Sequence, residues 1–130
     1  MERSDAAVFV FADDLGVFAS VRDAEMHYEP WFEDREKAAY DQSGNVLQLT
    51  AFNRHRGGVT IKPVEPPLNR WDEFVGRLRY YLDGVAEQRP DLLQREWVEH
   101  APGEDLIRWC IEFYETGRKV ELKRPWWQYW

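Results

Sequence analysis

Residues 69–85, NRWDEFVGRLRYYLDGV, decide the class of fold. Trp71, Phe74, Val75, Leu78, Tyr81, Leu82 and Val85 recur with the period that lays one apolar stripe along an α-helix, and they fit no strand. Asn69 suits the N-cap, because its side-chain oxygen can accept from a backbone N–H that the first turn leaves unpaired. Asp72 and Glu73 stand where the positive end of the helix dipole favours carboxylates, and Pro66-Pro67 prevents an earlier start. Arg70, Arg77, Arg79 and Asp83 fall on the other face, toward water. The stretch is expected to be the core helix, around which the rest packs. It bears on the fold and carries no chemistry.

The chain around it has 130 residues, the length of a single domain (1–130) able to bury a core without metal or disulfide. Hydrophobic residues make up 44% and aromatic residues 15%, which argues for a folded globule rather than a disordered chain. The formal charge is −7, and all of it falls in residues 1–41, where eleven acids stand against four bases (4 − 11 = −7). Such an acidic third repels nucleic acid and anionic lipid and steers in a basic partner. A lone cysteine, Cys110, excludes an intramolecular disulfide. The first residues do not read as a signal peptide and no apolar run reaches the length of a membrane span, so a cytoplasmic protein is expected.

Ahead of the helix, Ala7–Ala12 is a continuous apolar run, suited to a central strand buried on both faces. Asp13-Asp14-Leu15-Gly16 breaks it. Ser20 and Asp23 resemble a capping box opening a short helix over Val21–Tyr28, with Val21, Ala24 and Tyr28 inward and Pro30 ending it. Glu36–Asp41 and Val46–Phe52 read as a hairpin, because Asp41-Gln42-Ser43-Gly44-Asn45 has Asp and Gly where a turn needs them. Val59–Val64 is a third strand, with Pro63 suited to an edge or strand end. After the helix, Pro90–His100 carries Leu92, Leu93, Trp97 and, as a further candidate, Val98, and Glu104–Thr116 carries Leu106, Ile107, Cys110, Ile111, Phe113 and Tyr114. Val120 and Leu122 alternate in a last short strand before the Trp-rich end. The expected fold is α+β: an antiparallel sheet of about four strands packed against the 69–85 helix and two further C-terminal helices.

No stretch carries a specific catalytic motif. His27, His55 and His100 lie far apart, and Glu96 with His100 lacks the second histidine of a zinc helix, so no metal and no cofactor are expected. Cys110 lies among Leu106, Ile107 and Ile111 and reads as a buried inert thiol. Asp13 and Asp14 at the end of a buried strand read first as a turn with solvated carboxylates. Together with His55 they also define the alternative reading, a small enzyme or ligand-binding domain with a pocket between sheet and helices. The stretch Glu29, Trp31, Phe32, Glu33 and Asp34 sets bulky aromatics among carboxylates, the makeup of a hot spot facing a basic partner. These five are the candidate partner-binding residues.

An acidic α+β chain without catalytic motif, with aromatic anchors beside carboxylates, resembles bacterial toxin-immunity proteins, the inhibitors encoded beside contact-dependent or polymorphic toxins. The segment from Ser20 to Pro30, SVRDAEMHYEP, followed by Tyr40-Asp41-Gln42-Ser43-Gly44, looks like the opening of one loose group of small bacterial proteins, some with suspected immunity roles. The likeness spans about the first fifty residues and assigns no functional residue. It implies a non-enzymatic inhibitor whose acidic face docks on the basic cleft of a cytoplasm-acting toxin, such as a nuclease or a nucleotide-consuming enzyme. Its partner would be a protein, with neither nucleic acid nor membrane involved.

Overall fold

The computed structural model describes residues 6–12, 14–29, 32, 36–51 and 58–114. It is an α+β protein with an antiparallel sheet, a long helix and further C-terminal helices. The chain divides into two compact units, Met1–Trp71 and Asp72–Trp130. The tail 115–130, with the expected strand at Val120 and Leu122, lies outside the described residues.

The first unit is a five-stranded sheet in the order β2-β1-β3-β4-β5. Its strands are β1 (Val8–Phe11), β2 (Leu15–Phe18), β3 (Ala38–Asp41), β4 (Val46–Ala51) and β5 (Val59–Pro63). Every neighbouring pair is antiparallel. The apolar run at residues 7–12 forms the internal strand β1, and all four of its residues are buried, as an uninterrupted apolar run requires. Expectation fell one strand short. Leu15–Phe18 is itself a strand, β2, folded back on β1 with Phe11 opposite Leu15 and Val8 opposite Phe18. Gly16, which read as a breaker, lies inside it because another group needs the space: a Cβ there would stand 2.6 Å from the hydroxyl oxygen of Tyr28.

Strand alternation sorts the side chains onto two faces. One face carries Val8, Val10, Phe18, Ala39, Leu47, Leu49, Val59 and Ile61, packed in one apolar cluster with Ala24 of α1 (Val21–His27) and with Phe32. The other carries buried Phe9, Phe11, Leu15, Val17 and Tyr40. Phe11 and Tyr40 meet edge to face, with centroids 5.8 Å apart. Across β4 and β5 this second face turns polar, with Gln48 opposite Lys62 and Thr50 opposite Thr60.

Helix α1 starts where Ser20 places it. The Ser20 hydroxyl accepts from the Asp23 N–H at 3.2 Å, satisfying a donor that the first turn leaves unpaired. Ala24 points into the core, with Val21 and Tyr28 partly buried beside it. The helix packs against both β2 and β5, the two edge strands of the sheet.

The turn between β3 and β4 ties the unit together. The Asp41 carboxylate accepts from the N–H groups of Ser43 (2.8 Å) and Asn45 (3.0 Å) and from the Asn45 side-chain amide (3.0 Å). Gly44 adopts φ +89°, where an L side chain is strained, and a Cβ on it would stand 2.9 Å from the Trp71 Cα. The Asn69 amide donates to the Ser43 carbonyl and the Asn45 side-chain oxygen, each at 2.9 Å. Its own oxygen accepts from the Trp71 N–H at 3.2 Å, the cap expected from the sequence.

The second unit begins with the rest of α2 (Trp71–Gln88), whose buried residues are Phe74, Leu78, Leu82, Val85 and Ala86. The stripe is the one read from residues 69–85. Arg79, expected toward water, is instead partly buried. Its guanidinium donates to the carbonyls of Val98 (2.7 Å) and Ala101 (2.9 Å), closing the C-terminus of α3 (Arg95–His100). Asp83, another of the four residues expected toward water, accepts an exposed two-point ion pair from Arg95 at 2.9 and 3.1 Å. Helix α3 is shorter than the expected 90–100 stretch, because residues 89–92 form a turn closed by Arg89 on the Asp91 carboxylate at 2.8 and 2.6 Å. Val98 is fully buried, whereas Trp97, expected on the apolar face, is 38% exposed. Helix α4 (Gly103–Trp109) runs on into a π-helical turn, Cys110–Tyr114. Leu106, Ile107 and Cys110 are buried as expected, whereas Phe113 is exposed.

Truncating Leu78 to Ala should cost about 2–5 kcal/mol, the range for a fully buried leucine. Gly44→Ala should cost about 1–3 kcal/mol from backbone strain and crowding against Trp71. Denaturant melts of both variants check this. A Gly44→Ala protein as stable as the parent would show that the turn does not hold its left-handed residue in solution.

Candidate recognition surface

The expected recognition stretch follows α1, and the structure divides it. Glu29 is exposed. Trp31, Glu33 and Asp34 lie outside the described residues. Phe32, expected as a partner-facing anchor, is a core residue at 7% exposure. Its ring stacks on Tyr28 with centroids 4.2 Å apart and planes inclined by 22°, and Lys37 holds its ammonium 5.7 Å from the ring centre. Apolar neighbours on the sheet outweighed the adjoining carboxylates, because burying a phenyl ring is worth about 1.5–3 kcal/mol over leaving it in water.

Phe32 belongs to an aromatic stack built on β2 and α1. Phe18 packs edge to face on Tyr28 at 5.5 Å, and the His27 ring lies 5.1 Å from Phe18 and 4.8 Å from Tyr28. The Tyr28 hydroxyl reaches the backbone of β2 at Gly16. Burial, with a lesser contribution from the negative charge of Asp14, pushes that hydroxyl well above its ordinary pKa of 10.0. Asp14 is exposed, and its carboxylate accepts from the Leu15 N–H at 2.9 Å. Among the described residues Asp14, Asp23, Glu29 and Glu36 are exposed acids of this part of the chain. The sequence did not single out Met26, which is 75% exposed and stands between Asp23 and Glu29 at intervals of three residues. Its helical spacing from Asp23 was the available signal.

Of the pocket expected near Asp13, Asp14 and His55, Asp13 and His55 lie outside the described residues. A different depression, of about 690 Å³, opens on the polar half of the sheet. Gln48, Thr50, Thr60, Lys62 and Glu65 supply its polar groups. Among the described residues, no group of three or more His, Cys, Asp or Glu side chains could hold a metal ion. Cys110 is fully buried, and burial raises its thiol well above the ordinary 9.0, which disfavours the reactive thiolate. No described helix is long and apolar enough to cross a membrane.

No family model, curated protein or solved structure matches the chain.

Tyr28 gives this region a pH dependence of known sign. Its folded pKa lies above the unfolded one, so its contribution to stability is complete below pH 10 and declines as pH rises further. The ceiling is about 1.4 kcal/mol per pH unit, less for a side chain that is only partly buried. Melts between pH 8 and pH 11.5, values spanning roughly the onset of tyrosine ionisation, should show Tyr28→Phe losing less stability than the parent. Parallel losses would place the Tyr28 hydroxyl in water.

Proposed function

We propose that the protein is a non-catalytic inhibitor that binds a basic protein partner. In this reading it is an immunity protein that blocks a bacterial toxin acting in the cytoplasm, such as a nuclease or a nucleotide-consuming enzyme. The supporting observation is the setting of Asp14, Asp23, Glu29 and Glu36, exposed carboxylates beside the packed stack of Phe18, Tyr28 and Phe32. Exposed carboxylates suit a basic cleft, because they stand in for phosphates. Met26 supplies an apolar contact among them, and methionine is enriched in the buried cores of interfaces. Trp31, Glu33 and Asp34 follow directly in the chain and belong to the same proposed surface.

The mechanism is exclusion: the acidic face occupies the partner's cleft, and the partner's anionic substrate is kept out. Co-expression with a toxin domain encoded beside this gene tests it, the expected outcome being survival of cells that the toxin alone kills. Association should slow as salt rises, because steering between charges is screened over about 10 Å at 0.1 M ionic strength. Reversing Glu33 and Asp34 to Lys should slow association, whereas Met26→Ala or Trp31→Ala should mainly speed dissociation. Kinetics independent of salt, or a Trp31→Ala variant that binds normally but melts lower, would move the interface elsewhere.

The depression on β4 and β5 favours a second reading, a site for a small polar ligand, since its volume falls within the usual range for such sites. Lys62→Ala would abolish ligand binding under that reading and leave toxin inhibition intact under the first.

A further inference from the structure

An edge strand offers unpaired backbone donors and acceptors to any other strand that approaches. β5 is an edge strand, and its register shows which groups it offers. The Val64 N–H donates inward to the Val46 carbonyl at 3.1 Å, so by alternation Thr60 and Lys62 also direct their amides to β4. The outward amide positions are therefore residues 59, 61 and 63. Pro63 has no N–H to offer. The Ile61 N–H, at the centre of the strand, donates to the Glu25 carboxylate of α1 at 2.8 Å. A side chain thirty-six positions away in sequence thus stands where the carbonyl of a sixth strand would stand.

Packing of α1 against β5 brings Glu25 to this edge. The helix is itself positioned by the Ser20 cap and by Ala24 in the core. We infer that Glu25 is an edge guard: by taking the Ile61 amide it keeps β5 from pairing with the β5 of a second copy. Such pairing is self-complementary. Centred on Ile61, it sets Ile61 opposite Ile61 and Thr60 opposite Lys62 of the other copy, and Ile61 and Val59 of each chain donate across the seam. The inference is independent of the proposed partner, whose binding residues are other ones.

The test is sedimentation of the full chain with amide hydrogen exchange, for the parent, Glu25→Ala, Glu25→Asp and Glu25→Gln. The parent and Glu25→Gln, which retains an acceptor of the same length, should stay at the one-chain mass of 15.6 kDa. Glu25→Ala, and Glu25→Asp with its carboxylate one methylene short, should shift toward twice that mass as concentration rises. In the paired species the Val59 and Ile61 amides should gain protection. Adding Thr60→Lys to Glu25→Ala should restore the one-chain mass, because it sets like charges directly opposite Lys62 of the second copy. Folded Ala and Asp variants at one-chain mass over the same concentrations would overturn the inference. So would association without protection of β5, a parent already paired through β5, or unfolding of both variants, which would make the carboxylate a structural tie.

Discussion

The Asp41 carboxylate organises the first unit of this protein. It closes the β3–β4 turn with three hydrogen bonds, and that turn carries the one described residue held at positive φ, Gly44. Its consequences run outward along the backbone. The Gly44 carbonyl accepts from Arg70, the Leu68 carbonyl accepts from Val46, and Asn69 bonds back to Ser43 and Asn45 while capping the first turn of α2. A local turn thereby fixes the register of two strands and the residue at which the longest helix starts. Charge-assisted bonds to backbone amides are about twice as strong as neutral ones, which suits a carboxylate to this position.

Where local signals agreed, the fold was legible. The apolar period of 69–85, the Asn69 cap, the unbroken run of β1, the Ser20 cap and the glycine of the β3–β4 turn are each decided by residues close in sequence, and each was read correctly. What escaped depended on distant partners. Gly16 read as a breaker because its reason, the hydroxyl of Tyr28, lies twelve positions away. Arg79 read as a surface charge because the carbonyls it closes belong to a later helix. Trp97 read as inward beside Val98, but neighbours on a helix point about 100° apart, and only Val98 is buried.

The candidate surface was legible in its charge and illegible in its anchor. Counting carboxylates located the acidic third, since net charge needs no geometry. Phe32 and Met26 show the limit of that approach. Hydrophobicity alone names Phe32 as the stronger contact, yet it packs beneath Tyr28 while the more flexible Met26 stands in water. Which apolar side chain faces out depends on the sheet beneath it.

Cys110 gives the molecule a built-in clock. A thiol with no exposed surface and a suppressed thiolate reacts with an electrophile only when the structure around it opens. As the single cysteine of the chain, it reports one location without ambiguity. The rate at which a maleimide consumes it measures how often the unit formed by residues 72–130 opens, while proteolysis at the sheet measures the other unit. Comparing the two rates reveals whether the units breathe together or separately, a property that stability measured on the whole chain averages away.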